Sequence, residues 1–219
     1  MRPTDRPVCA VIFDLDGTLL DTLEDLTAAV NFAMRSCGHP ERSTDEVRAF
    51  IGNGVTRLMQ RAAPPNLPEA AWQRCFDAFQ TYYLAHLTDR TRPYPGILPL
   101  LDALRLRGVK TAVVSNKLHA GVVGLCRSFF GDRLTCVFGV EAETERKPAP
   151  VTALRAMQAM GSSRSNTLFV GDSAVDVQTA RNAGLPCVGV SWGFRTREEL
   201  ERAGAVAVID RPTQLLDLL

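Results

Sequence analysis

Long apolar runs are missing from this sequence, and no stretch approaches the roughly 18–20 residues that a membrane-crossing helix needs. The six cysteines, Cys9, Cys37, Cys75, Cys126, Cys136 and Cys187, stand singly. With no C-x-x-C pair and no cysteine–histidine cluster at zinc spacing, neither a zinc ribbon nor a redox dithiol is expected. Several cysteines fall inside apolar runs, where a reduced thiol acts as a small hydrophobe, so free thiols in a reducing cytoplasm are expected. The three histidines, His39, His86 and His119, show no spacing for shared metal binding. Excess charge is also missing: 25 Lys and Arg against 24 Asp and Glu leave a formal +1, which offers nucleic acid no basic surface. The opening MRPTDRPVCAVIFD places arginines before an apolar run that is too short for a signal peptide and ends in carboxylates. What remains, 219 residues at 46% apolar and 22% charged, fits a soluble globular protein whose partners are small molecules.

From about residue 91 onward the chain alternates. Short β-branched runs at 109–114, 135–140, 167–170, 187–190 and 206–209 are separated by helical spacing, as at 149–160 and 174–183. With 8–13 this makes about six strands. Continuous apolar strands between helices predict an α/β fold, a doubly wound Rossmann-like parallel sheet covered on both faces. Residues 21–90 read differently: helices at 23–37, 44–50, 55–63 and 68–87, broken by Gly-His-Pro, Gly-Asn-Gly and Pro-Pro-Asn, with no convincing strand. Residues 1–20 and 91–219 are therefore expected to form the core, and 21–90 an inserted small α-helical cap domain. Trp72, Phe76, Phe79 and Tyr83 recur at helical spacing as the insert's expected buried stripe.

Polar residues gather where the strands end. The first apolar run stops at Asp14-Leu15-Asp16-Gly17-Thr18, the next at Ser115-Asn116-Lys117, and another at Gly171-Asp172-Ser173 with Asp176 beyond; Lys147 lies on a strand-to-helix loop, Arg146-Lys147-Pro148. Ligands of open parallel sheets bind outside the carboxyl ends of strands. Two carboxylates side by side repel and are costly to desolvate, so the pair needs a cation, a proton or a reaction. Asp14, Asp172 and Asp176 make an oxygen-rich site for a hard divalent ion, and Mg²⁺ fits because it binds through few carboxylates and keeps waters for phosphate. Ser115 and the amides around Asn116 can donate to phosphate oxygens, while Lys147 supplies a point charge to phosphate and nucleophile. Such an array suits phosphoryl transfer, which depends on positioning and electrostatics. Asp14 is then placed to attack phosphorus and form an aspartyl-phosphate, and Asp16 to protonate the departing alkoxide and later take a proton from water.

Four segments, Asp14-Leu15-Asp16-Gly17-Thr18, Val114-Ser115-Asn116, Lys147-Pro148 and Gly171-Asp172-Ser173 with Asp176, in order and on strand ends, resemble the motifs of the haloacid dehalogenase superfamily of phosphohydrolases. The resemblance implies Asp14 as nucleophile, Asp16 as acid and base, and Ser115 and Lys147 on the phosphate, with Thr18 and Asn116 at the substrate. It also implies Mg²⁺ held by Asp14, the Asp16 backbone carbonyl and Asp172, with Asp176 at or just behind the ion. An aspartate at position 16 matches phosphatases and phosphomutases and argues against carbon–halogen and phosphonate cleavage. Ile51-Gly52-Asn53-Gly54-Val55, with Arg57 on the following helix, resembles the specificity loop of phosphoglycolate phosphatases, so Gly52, Asn53, Gly54 and Arg57 are expected to bind substrate; Ser191-Trp192-Gly193-Phe194 resembles a segment of the same subgroup. The expected activity is Mg²⁺-dependent hydrolysis of a small phosphomonoester, 2-phosphoglycolate first. A sugar phosphate, a nucleotide, pyrophosphate, a phosphomutase or an idle phosphate-binding protein stand as alternatives. Monomer and homodimer are both compatible with the sequence.

Overall fold

The computed structural model describes Thr4, residues 7–52 and residues 54–219. Along the chain come β1 (Ala10–Phe13), β2 (Leu20–Asp21), α1 (Leu23–Ser36), α2 (Thr44–Phe50), α3 (Val55–Ala62) and α4 (Glu69–Ala85). Then follow β3 (Arg92–Pro93), α5 (Ile97–Leu106), β4 (Lys110–Leu118), α6 (His119–Phe130), β5 (Cys136–Val140) and α7 (Val151–Met160). The last elements are β6 (Thr167–Gly171), α8 (Ala174–Ala183), β7 (Cys187–Val190), α9 (Arg197–Ala203) and β8 (Ala207–Ile209). They divide into two compact units, Met1–Leu20 with Pro93–Leu219, and Asp21–Arg92. Where the chain passes from one to the other, β2 and β3 pair as a two-stranded ribbon, too short to show any period in the sequence.

The first unit is a Rossmann-like α/β sheet in the order β5-β4-β1-β6-β7-β8, every pairing parallel. All four residues of β1 are buried, because neighbouring strands flank it on both edges and both of its faces are covered. On one face Ala10 and Ile12 join Ala112, Val114 and Phe169 against Ala153, Ala156 and Met157 of α7 and Val177 and Ala180 of α8. By strand alternation Val11 and Phe13 point to the other face and are equally buried. Full burial of Ile12 and Phe13 contributes about 1.5–3 kcal/mol each. One strand departs from the sequence reading: β4 does not stop at 114 but continues through Ser115-Asn116-Lys117 to Leu118, with a register shift against β5 between Val114 and Leu118. α7 starts at Val151, after Pro150, rather than at 149.

The second unit is helical. α1 packs on α4 and shares an apolar interior with α2 and α3, built from Leu26, Val30, Met34, Val47, Leu58, Met59 and Phe79. α2 is started by a reciprocal cap in which the Glu46 carboxylate accepts from the Ser43 N–H (2.8 Å) and the Ser43 hydroxyl accepts from the Glu46 N–H (3.2 Å). Asp25, on the first turn of α1, is 3% exposed; its carboxylate accepts from the Arg90 N–H, the Thr91 N–H and the Thr91 hydroxyl, the last two at 2.8 and 2.7 Å. The expected aromatic stripe on α4 is buried only in part: Phe79 and Tyr83 are interior, whereas Trp72 and Phe76 are half-buried and cover one another, their rings stacked 5.0 Å apart. The six thiols are all unpaired; Cys75, Cys126 and Cys187 are buried, Cys37 and Cys136 half-buried, and Cys9 exposed. Among the described residues no helix is long and apolar enough to cross a membrane.

Candidate active site

The polar residues of the first unit meet at the carboxyl ends of β1, β4 and β6. Asp14 follows β1 directly, its N–H donating to the Val170 carbonyl of β6 (2.9 Å), and is 8% exposed. The chain then turns tightly. Gly17 sits at φ +89°, where a side chain would be strained and its Cβ would collide with the Asp172 carboxylate. Leu15 between the aspartates is fully buried, while Asp14 and Asp16 on either side of it each meet a different lysine.

One buried ammonium joins two of the acids. Lys147 Nζ lies 2.7 Å from Asp14 Oδ1 and 2.7 Å from Asp176 Oδ1, with Lys147 5% and Asp176 0% exposed. Burial works to lower the Lys147 pKa, but the charges of Asp14 and Asp176 outweigh it, and the ammonium is held above its usual range. Asp14 is pushed well up, first by burial and then by the charge of Asp176, with Lys147 pulling the other way. Asp172 is raised from an ordinary 3.8 to about 7, again by burial first and Asp176 second. Asp14, Asp172 and Asp176 present oxygens that all lie within 4.8 Å of one another. Three buried carboxylates against one nearby ammonium leave excess negative charge, and the rise of Asp14 and Asp172 is its electrostatic expression.

Each acid is aimed by neighbours. Asp176 reaches back over the start of α8, its Oδ2 accepting from the Ser173 N–H (3.1 Å) and hydroxyl (2.6 Å). Asp172 Oδ2 accepts from the Phe194 N–H (2.8 Å), and Thr18, itself fully buried, donates its hydroxyl to Asp172 Oδ1 (3.3 Å). Trp192 Nε1 donates to the Thr18 carbonyl (3.0 Å), so the 191–194 segment and the β1 turn clasp Asp172 together.

Ser115 is 3% exposed and its hydroxyl accepts from the Lys117 N–H (3.2 Å). The Asn116 side chain faces the Lys147 loop: Oδ1 accepts from the Lys147 N–H (2.7 Å) and Nδ2 donates to the Lys147 carbonyl (3.2 Å), which fixes where that lysine starts. Lys117 carries a contact that the sequence reading named only as part of a strand end and gave no role: its Nζ lies 2.7 Å from Asp16 Oδ1, with the two side chains 7% and 18% exposed. The available signal was a lysine directly after Ser115-Asn116 at the end of an apolar strand. The candidate substrate residues of the second unit stand apart from this cluster in the sequence. Gly52 and Gly54 take positive φ, 129° and 82°, before α3; Arg57 is exposed and donates to Gln60 (2.8 Å); and Asn53 lies outside the described residues.

The haloacid dehalogenase-like hydrolase family matches residues 11–190, which include every residue of this cluster except Trp192 and Phe194. The chain belongs to the haloacid dehalogenase-like hydrolases. Among curated members of this family's kind, it is 34% identical to a phosphoglycolate phosphatase of Pseudomonas syringae pv. tomato, over 94% of this chain and 78% of that one. It is also 34% identical to the phosphoglycolate phosphatase of Agrobacterium fabrum, over 94% and 91%. A crystal structure from Lactobacillus delbrueckii subsp. bulgaricus, provisionally assigned as a phosphoglycolate phosphatase, superposes on this hydrolase with a TM-score of 0.92 at 33% identity, covering 98% and 99% of the two chains.

Proposed function

We propose that this hydrolase is a phosphomonoesterase that works through an aspartyl-phosphate on Asp14, with 2-phosphoglycolate as its substrate and Mg²⁺ as its metal. The observation that carries the reading is the pairing of two aspartates two residues apart with two separate lysines, Asp14 with Lys147 and Asp16 with Lys117, beside a buried acidic trio. In the first half-reaction an Asp14 oxygen forms a bond to phosphorus as the ester P–O bond breaks, and Asp16 gives its proton to the departing oxygen. In the second, water attacks phosphorus, passes a proton to Asp16, and releases phosphate and free Asp14. Lys147 opposes the rise of the Asp14 pKa and orients its carboxylate, and Ser115 donates to the phosphoryl oxygens.

The donors fit a hard divalent ion, being oxygen only, buried and short of positive charge. Asp176 already accepts from Lys147 on one oxygen and Ser173 on the other, so Asp14, Asp172 and the Asp16 carbonyl are assigned as ligands and Asp176 as their support. Bound there, Mg²⁺ would offset the carboxylate excess and neutralise charge on the phosphoryl oxygens. The substrate assignment is supported by the names of the curated relatives. The deciding measurement is phosphate release, with Mg²⁺ or with EDTA, from 2-phosphoglycolate, hexose phosphates, nucleotides and pyrophosphate. The highest kcat/KM is expected on 2-phosphoglycolate, lost in EDTA and restored by Mg²⁺. A rate on 2-phosphoglycolate no better than the panel average defeats that substrate, and isomerised sugar phosphate with little free phosphate replaces the hydrolase reading with a mutase.

A further inference from the structure

We propose that Lys117 is a positioning residue that fixes the Asp16 carboxylate by its Oδ1, leaving Oδ2 as the oxygen that delivers the proton to the leaving group. The inference rests on the phosphatase reading and extends it to a residue outside the four segments that carry the family resemblance.

The structure builds a holder for this lysine. β4 is hydrogen-bonded beside β1, with Val113 opposite Phe13, so the end of β4 overhangs the turn that carries Asp16. The register shift between Val114 and Leu118 sets four residues of β4 against two of β5, and such an irregularity re-aims the side chains it carries. The re-aimed backbone lies tight on β5: a Cβ on Gly139 would fall 2.6 Å from the Lys117 carbonyl and 2.8 Å from the His119 nitrogen, so only glycine fits there. The Lys117 stem passes α6 at Gly121, where a Cβ would just touch its Cγ and Cδ at 3.6 Å. With 7% of its side chain exposed, the ammonium has traded water for the Asp16 oxygen at 2.7 Å. The Cys126 thiol of α6 registers both groups: burial first and then Asp16 push it up, to about 12, while Lys117 pulls it down.

A surface lysine would contribute little here, since exposed ion pairs are worth about 0–1 kcal/mol and hold no fixed geometry. A lysine packed along its stem and engaged at its tip is different, because it has lost its rotamer freedom in advance and restricts the partner carboxylate. It also gives each aspartate its own cation. Without Lys117, Asp16 stands two residues from Asp14 with freedom to turn toward Lys147, the ammonium that Asp14 needs.

The test separates orientation of the acid from general damage by varying how much the leaving group needs a proton. Lys117→Met is assayed by kcat/KM, which reports steps through the first P–O cleavage, on an alkyl phosphate and on 2,4-dinitrophenyl phosphate, whose leaving group departs unprotonated. The expected result is a loss of about 100-fold on the alkyl ester and less than about 5-fold on the dinitrophenyl ester. In an Asp16→Asn background, adding Lys117→Met should cost less than about 3-fold more on the alkyl ester, because the residue acts through Asp16. The Mg²⁺-induced rise in Tm should persist in Lys117→Met. Equal losses on both esters, or a full additional loss in the Asp16→Asn background, overturn the assignment. If Lys117→Met does not fold, Lys117→Arg is read by the same ratio, since a guanidinium keeps the charge but displaces the carboxylate. Wild-type protein that releases no phosphate from either ester defeats the phosphatase reading instead.

Discussion

Both units bury aspartates, and they treat them in opposite ways. In the helical unit Asp25 is enclosed by donors from its own chain: two backbone N–H groups and a hydroxyl tie α1 to the Arg90–Thr91 segment that ends the unit. Its partners are neutral and arranged around it, so the carboxylate serves as a structural knot. In the sheet unit Asp14, Asp172 and Asp176 crowd together around one ammonium, and two of them are pushed upward by burial and by each other. That cluster is electrostatically incomplete without a cation. The contrast teaches that burial of an acid does not by itself signal function; what matters is whether the fold satisfies it.

The largest expected effect tests that contrast directly. Asp14→Asn should lower phosphate release by roughly 10³-fold or more, with circular dichroism unchanged and Tm equal to or above wild type. A loss of stability like that of a structural knot would break the comparison.

Asp172→Asn comes next. Because its folded pKa is raised from 3.8 to about 7, Asp172 stabilises the fold fully below pH 4, and that stability is lost as pH rises through 7. A cation that binds the ionised form reverses the loss, so the Mg²⁺-induced increase in Tm should grow from pH 5 to pH 8. Asp172→Asn should abolish that increase, cut turnover about 100-fold, and raise Tm in EDTA at pH 8 by about 3–6 °C, equivalent to roughly 1–2 kcal/mol. A metal effect that is flat across this pH range, or a lower Tm for the variant in EDTA, would contradict the charge excess.

Asp25→Ala is the counterpart in the other unit. Leaving three buried donors unsatisfied should cost about 3 kcal/mol in urea unfolding, while the Mg²⁺-induced Tm increment stays as in wild type. Should that increment vanish as well, the two kinds of buried aspartate would not be separable. The smallest effect is expected at Thr152 in α7, 1% exposed, whose hydroxyl has no hydrogen-bond partner. Thr152→Val should be neutral or stabilise by up to about 1 kcal/mol, measured by the urea midpoint, since it removes a polar group that the fold does not use.

Much of the sheet was legible because buried parallel strands leave continuous apolar runs: all six appear near the expected positions, and α8 falls on 174–183 as read. The misses share a cause in local context. Trp72 and Phe76 carry the period of a buried stripe, but a period shows a common face and not how far the partner helix covers it. The extension of β4 past Val114 was hidden because Ser115, Asn116 and Lys117 are polar, and the last two engage groups from distant segments. Asn116 illustrates the limit for the site. Its place beside Ser115 suggests a role at the substrate, but no pattern in the sequence shows that its side chain also fastens the Lys147 backbone, 31 positions away.

By itself the sequence determined the chemical inventory and its order: two aspartates after the first strand, a serine toward the end of β4, a lysine on a later loop and two further aspartates around the start of α8. Strand periodicity was enough to place these at one edge, because parallel strands share a direction. Only the tertiary structure decided which charge faces which. That Lys147 holds Asp14 and Asp176, that Lys117 holds Asp16 and that Phe194 clasps Asp172 depend on register, side-chain direction and close backbone approach between segments 22 to 133 positions apart. Pairing of charges is a property of distance, and distance between remote residues exists only once the chain has folded.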